Sequence, residues 1–439
     1  MKDEKKKRFH IAKKKDIPDL TKPGVALEIR KKGKKDSDMP PKEPEIKNDT
    51  VFSWDIKASD GKKTNTEKKR KIQNKTIRKW VIVSVCAAAA LAAYLTITLQ
   101  TYTDVSVISQ EQEAGTGRSS YARFDENILR CSRDGVVLFD TDGKELWKED
   151  CQIQNPVVEV NKESAVVTDS GGNSILIFGK KGLKGEVQTE LPIERVAVSE
   201  KGITAVILKE GNTPSIQCYD AAGNLLLEYK VSAVEQGYPV DLALSPDGTT
   251  LLVSYVSIKD GNPDTELVYY DFGNKDEDGK YRVGGKTYED TVMPSVYFVS
   301  DEKSVAVGDG GFVLYNGTKP KEKEYVKISK EIKSICYDKE YLGIILKNTD
   351  KAGYELKLFD YDGKEVISKD FEGDYSKVKI EKGQVLMYDG EKCSIYTDSG
   401  VHRFDGKMGT NIKDIFPLKG INKYLVVDAN GTKTVRLTK

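Results

Sequence analysis

From about residue 103 onward the chain alternates between short apolar runs and polar breaks. The runs GVVLFD, NSILIFG, PSIQCYD, TELVYYD, GGFVLYN and YELKLFD each end at such a break. Four breaks share a form: LFDTDG at 138–143, CYDAAG at 218–223, LFDYDG at 358–363 and IYTDSG at 395–400. IFGKKG at 177–182, YYDFG at 269–273 and LYNG at 314–317 are looser copies. A second run follows each break, as in KELWKED, NLLLEYKVS and KEVISKDF. Two such runs around a turn-forming break predict a β-hairpin, here written seven times.

A strand–turn–strand pattern precedes each hairpin, most clearly in DLALSPDGTTLLVSYV at 241–256. RVAVSEKGITAVILK, SVYFVSDEKSVAVGD, SICYDKEYLGIILK and KVKIEKGQVLMYD read the same way. The unit is therefore four antiparallel strands. Its innermost strands are predicted to begin near 120, 155, 193, 238, 293, 331, 376 and 412. A period near 40 with four strands per unit predicts an all-β fold, a β-propeller. Eight blades are expected, with seven still possible. The last unit lacks an outer strand, which TDVSVIS (103–109) could supply. Pairing strands from both chain ends would remove an exposed sheet edge. In a different register, VVDANG (426–431) forms the last unit's hairpin turn.

One stretch breaks this pattern. WVIVSVCAAAALAAYLTITLQTY, residues 80–102, carries no charge. It is long enough for a helix across a hydrocarbon core of about 30 Å, with Trp80 and Tyr102 at its ends, where such rings favour the interface. Residues 62–79 hold nine Lys/Arg and one acid, and the first basic residue beyond the span is Arg118. The positive-inside rule then places residues 1–79 in the cytoplasm and 103–439 outside. The 79 preceding residues are too many for a cleaved leader, so the span reads as an uncleaved signal anchor. The overall charge of +1 hides +13 in residues 1–79 and −12 in the rest.

The basic tail is poor in aliphatics and is expected to be disordered. Within it, TVFSWDI alternates Phe52, Trp54 and Ile56 with polar residues. This is either a docking motif that adds a strand to a partner or a chance cluster. The Lys-rich 62–79 fits a topology signal and anionic lipid, and nucleic-acid binding is not expected.

The blades, with SPDG at 245–248 and the F-D-x-x-G-k-x-x-W form of 139–147, resemble the eight-bladed quinoprotein-like and BamB-like propellers. The whole order of basic tail, anchor and outer propeller looks like the DUF5711 family of uncharacterised Gram-positive proteins. That resemblance implies a cell-membrane protein of a Gram-positive bacterium.

The motifs carry little chemistry. An EF-hand loop with Gly143 at its sixth position would begin at Leu138, with Gly363 at Leu358 and with Gly223 at Cys218, so its first ligand is missing. No metal is expected, and Asp-x-x-Gly reads as a turn. The docking tryptophan of quinoprotein blades recurs; here Trp147 stands alone, with Leu227 and Ile367 at the matching positions. No cofactor is expected, and Trp147 reads as a packing residue. A Ser-His-Asp arrangement would have to use His402, which reads as a surface residue on an outer strand, so no catalytic residue is named. Five cysteines outside the span form no regular framework. A Cys131–Cys151 bridge would need a bend at Cys151.

Excess length falls in few places: AVEQGYP (233–239), SIKDGNPDT (257–265), NKDEDGKYRVGGKTYED (274–290) and KNTDKAG (347–353). Connections longer than their siblings are often functional. Tyr238, Lys259, Asp260, Asn262, Asn348 and Asp350 are the polar candidates for partner contact. The expected function is a membrane-tethered, non-catalytic module for a protein or cell-envelope polymer. A sensor or scaffold acting through the tail is one alternative. A carboxylate enzyme in the central channel is the other.

Overall fold

A computed structural model of the chain describes residues 65–112, 119–211, 213–273 and 281–439. Helix α1 (Asn65–Thr98) is followed by eight four-stranded antiparallel sheets. Blades one to seven are consecutive meanders over 120–150, 156–188, 193–230, 238–288, 295–327, 332–371 and 377–407. Their innermost strands begin at Ser120, Pro156, Ile193, Tyr238, Ser295, Ile332 and Lys377, within two residues of the sequence reading.

Blade eight joins the two parts of the chain. Asp414–Pro417, Lys423–Asp428 and Gly431–Thr438 supply its inner three strands, and β1 (Asp104–Gln112) its outer one. The pairing runs from Asp104↔Thr438 to Gln112↔Gly431, with a bulge between Val107 and Ser109. The ring therefore closes with eight blades, and closure satisfies a backbone edge of the last sheet.

Successive side chains of a strand point to opposite faces, so each strand serves two blade interfaces. Ala165 and Val167 of blade two pack with Leu129, Leu138 and Cys131 of blade one. Val166 between them packs with Val206 and Leu208 of blade three. Similar clusters fill the later interfaces up to blades seven and eight, where Tyr102 joins Phe404, Val435 and Leu437. The closing interface of blades eight and one is thinner: Ile128, Phe416 and Val427 are its buried residues. Cys131, Cys218, Cys336 and Cys393 are buried free thiols, and Cys151 is a half-buried one. Burial pushes the Cys131 thiol well up.

The Asp-x-x-Gly breaks are the turns between third and fourth strands. Asp140 Oδ1 accepts the N–H groups of Asp142 and Lys144, each at 2.9 Å. Asp220 and Asp360 repeat this with Ala222 and Asn224, and with Asp362 and Lys364. Gly143, Gly223 and Gly363 follow at φ +86°, +88° and +84°, where a Cβ is strained. Each turn also lies under the outer strand of the preceding blade: a Cβ on Gly223 would come within 2.7 Å of the Glu186 carbonyl oxygen of blade two. The motif thus shapes a hairpin and lets the blades approach closely.

Two stretches read as loops are strands. Thr250–Lys259 and Asn262–Asp271 form one hairpin with Lys259 paired to Asn262. Of 257–265, only Asp260 and Gly261 make the turn, at φ 50° and 88°. Two consecutive positive φ values suit a tight hairpin turn, so pairing continues to the tip. In 274–290, Arg282–Tyr288 is blade four's outer strand itself.

Candidate functional site

The inner strands run parallel to one another around the channel, so antiparallel neighbours sort the connections by face. One face carries the entries into the innermost strands and the turns between second and third strands. The other carries the remaining turns. Tyr238, Lys259, Asp260, Asn262, Asn348 and Asp350 all fall on the first face, but not together: four belong to blade four and two to blade six.

Several are already engaged. The Tyr238 hydroxyl donates to Glu194 Oε2 at 2.6 Å. Burial and this carboxylate push the phenol up to about 12. Lys259 Nζ lies 3.5 Å from Asp264 Oδ2. Asn348 is buried; its Oδ1 accepts from Lys330 Nζ at 3.2 Å and its Nδ2 donates to Asp370 Oδ1 at 3.3 Å. It holds its own connection in shape, a bland role that its sequence position does not reveal. Asp260, Asn262 and Asp350 remain exposed. Phe52, Trp54 and Ile56 lie outside the described residues.

The channel wall divides into two unlike halves. Blades seven, eight and one bring together Arg123, Lys379, Glu381 and Asp414. Arg123 Nε meets Glu381 Oε1 at 2.5 Å, and its Nη2 donates to the Pro417 carbonyl at 2.6 Å. Lys379 Nζ lies 2.5 Å from Asp414 Oδ1, 3.3 Å from Glu381 Oε2 and 3.7 Å from the Phe416 ring centroid. These charges satisfy one another.

The other half is not neutralised in this way. Glu159 of blade two holds the place that Ala197 and Ala243 hold in VAVS and LALS of the next two blades. Its side chain keeps solvent-accessible surface. Burial, with Asp241 adding repulsion, pushes its carboxyl up to about 7. Asp241 of blade four accepts the Val296 N–H at 2.9 Å. Burial pushes it up to about 6, against that bond, the Leu242 N–H and the charge of Arg195. Tyr337 of blade six is exposed, and burial first, then the charges of Glu159 and Asp241, push its phenol up. Its ring stacks on Tyr297 of blade five, centroids 3.7 Å apart. A charged residue inside the apolar run VVEV was the sequence signal for this site. It gains meaning only when the eight inner strands are aligned.

His402 departs from the sequence reading. It begins the outer strand of blade seven but is half-buried, stacked on Tyr396 at 4.2 Å, with Nε2 2.8 Å from Ser394 Oγ. A bulge at Arg403 turns Asp405 to the same face. Burial lowers the imidazole's affinity for a proton, and Asp405 opposes this. Among the described residues, no group of three or more His, Cys, Asp or Glu is placed to hold a metal ion.

A model for a family of unknown function, DUF5711, matches residues 98–437. A search of curated proteins finds no match. Among solved structures, Sqt1 from Saccharomyces cerevisiae is 12% identical, with a TM-score of 0.52 over 76% of this chain and 99% of that chain. BamB from Moraxella catarrhalis is 14% identical, with a TM-score of 0.47 over 76% and 98%. AztD from Citrobacter koseri is 11% identical, with a TM-score of 0.46 over 67% and 87%. At such identities the likeness to Sqt1 is one of propeller fold.

Proposed function

For this chain, which belongs to the DUF5711 family of unknown function, we propose a membrane-tethered, non-catalytic propeller that presents one face to a protein or cell-envelope polymer. In this reading residues 1–79 are a cytoplasmic tail, 80–102 the span and 103–439 the outer propeller.

The observation that carries it is the hairpin of blade four. Its two strands have ten residues each, against five to eight in the second and third strands of the other blades. At about 3.3 Å per residue, the surplus lifts its tip roughly 10 Å above its neighbours. Ile258 near that tip is 69% exposed beside Lys259, Asp260 and Asn262. A raised, partly apolar tip with a polar rim suits a contact surface. Propellers as a class serve as interaction scaffolds, which agrees with this reading.

The tether fits the same picture. Ile77–Thr98 is long and apolar enough to cross a membrane, and its side chains are exposed along nearly its whole length. Its end is tied to blade seven: Arg403 Nη2 donates to the Thr98 carbonyl at 3.3 Å, and Tyr102 N–H to the Arg403 carbonyl at 2.8 Å. Arg403 lies near the start of an outer strand, on the side of the turns between third and fourth strands. The anchor thus enters away from the blade-four tip, leaving that tip free to face outward.

The test is a photo-crosslinking residue placed at Ile258 or, as a control on the other face, at Lys339. Discrete adducts in intact cells from position 258 and none from 339 are expected. No adduct at 258, or the same pattern at both positions, would overturn the proposal.

A further inference from the structure

We infer that the cleft between blades three and four is a slot for a tryptophan side chain carried by another protein. The inference does not rest on the blade-four tip, and its failure would leave that reading untouched.

The interface of blades one and two shows what such a slot holds. Trp147, on the outer strand of blade one, pairs with Leu138. Its ring lies flat on Phe178 of blade two, centroids 5.3 Å apart, and its Nε1–H donates to the Lys180 carbonyl at 3.0 Å. Blades three and four repeat this framework without the indole. Leu227 pairs with Cys218 in the register of Trp147 with Leu138, each beside the bulge of its outer hairpin. Tyr270 of blade four sits just past the bulge of its own hairpin, as Phe178 does in blade two. Leucine is shorter than an indole, so the same framework leaves a volume unfilled.

That volume is present. A cleft of about 430 Å³ lies between these blades, and both Leu227 and Tyr270 line it. An apolar cavity of about 150 Å³ already admits benzene, so an indole has room. Blades six and seven differ. Ile367 takes the register of Trp147 there, but it is buried, as is Tyr396, and His402 already covers the tyrosine ring.

The walls of the cleft suit an aromatic ring. Tyr229 flanks Tyr270 with centroids 6.1 Å apart and planes 48° apart, and Tyr281 joins them in the lining. The Tyr270 hydroxyl lies 3.0 Å from that of Tyr255, and the Tyr229 hydroxyl donates to Gln236 Oε1 at 2.9 Å. These bonds fix both rings before anything enters, which lowers the ordering cost of binding. An incoming ring then finds the stacked and edge contacts that aromatic pairs prefer. The surroundings favour a polypeptide over a free indole. Leu225, two residues before Leu227, is 52% exposed, and Val234, two before Gln236, is 90% exposed. Such apolar surface beside a pocket is what the residues around a tryptophan anchor cover.

The test uses the full chain in detergent and the peptide acetyl-Gly-Gly-Trp-Gly-Gly-amide, with 5-fluorotryptophan as its tryptophan. Its ¹⁹F line should broaden on adding wild type, beyond the effect of detergent alone. Excess unlabelled peptide should restore the line, and the same peptide with leucine for tryptophan should not. These arms need no variant to fold. Leu227→Trp should fill the slot from within, as Trp147 does in the first interface. It should raise the unfolding midpoint by roughly 2 °C and abolish the broadening. The inference fails if wild type does not broaden the line, if the leucine peptide competes equally, or if Leu227→Trp broadens it as wild type does. It fails too if Leu227→Trp lowers the midpoint, since the slot would then have no room. Broadening of free 5-fluoroindole but not of the peptide would assign the cleft to a small molecule, and restoration of the line by chitotriose would assign it to a glycan. Either result overturns the protein partner.

Discussion

The Trp147 indole lies flat on Phe178 of the next blade, with ring centroids 5.3 Å apart and planes 6° from parallel. Its Nε1–H donates to the Lys180 carbonyl at 3.0 Å, at the turn of blade two. The tryptophan therefore joins blade one to blade two by stacking, area and one hydrogen bond. Trp147→Ala should cost about 2–3 kcal/mol, below a fully buried tryptophan because the ring is partly exposed. Trp147→Leu, which installs the residue type of Leu227, should cost about half as much. Denaturant unfolding monitored by circular dichroism reads both, and equal losses for Ala and Leu would refute the stacking account.

Closure should dominate the stability of the ring. β1 pairs along its whole length with Gly431–Thr438, and Val435 and Leu437 on that strand are fully buried. Leu437→Ala is expected to cost about 3 kcal/mol. Deleting 431–439 removes the strand that joins β1 to the ring, exposing two edges at once. The truncated chain should lose its cooperative transition in a thermal melt while keeping much of its strand signal. A truncated protein that melts as wild type does would show that blade eight is dispensable.

The shared turn is not equally tolerant in each blade. Gly143 and Gly223 have nearly the same φ, but an added Cβ would lie 3.5 Å from the flexible Glu111 carboxylate at one and 2.7 Å from the Glu186 backbone oxygen at the other. Gly143→Ala should cost roughly 1 kcal/mol, the strain of a left-handed alanine. Gly223→Ala should cost about 2–3 kcal/mol, because backbone of the neighbouring blade must also move. Unfolding midpoints rank the two, and the reverse order would exclude the close-approach explanation.

These turns also show how far sequence reaches. Repetition made the architecture legible: one Asp-x-x-Gly break is ambiguous, but seven hairpins at a common period leave few folds. The missing outer strand of the last unit pointed to the chain's other end, and β1 fills it. Contacts across the repeat were not legible. Asn262, Pro263 and Asp264 look like turn residues, yet the pairing of Ile258 with Pro263 extends the hairpin past them. His402 looked like a surface residue because its partner Ser394 is reached only through cross-strand pairing. Glu159 is a single charge in the apolar run VVEV, which by itself marks no site. Its isolation depends on what blades four, six and seven bring to the opposite wall.

That isolation gives a pH dependence with a definite sign. Glu159 is pushed up to about 7 from an ordinary value of 4.5, by burial and by Asp241. Between those values the folded protein holds a proton that the unfolded chain releases, so stability falls as pH rises through the window. Above pH 7 the carboxylate is charged in the folded state as well, and the pH dependence levels off. Asp241, pushed up to about 6 from 3.8, acts with the same sign over a lower window. Glu159→Gln keeps the shape and removes the charge. Its melting temperature should exceed that of wild type at pH 8 and approach it near pH 5, so that the difference between the proteins grows with pH. Calorimetry or circular dichroism of both across pH 5–8 measures that difference directly. A constant gap would mean that Glu159 titrates alike in both states, and a gap that shrinks with rising pH would mean that it has a cationic partner in the folded ring.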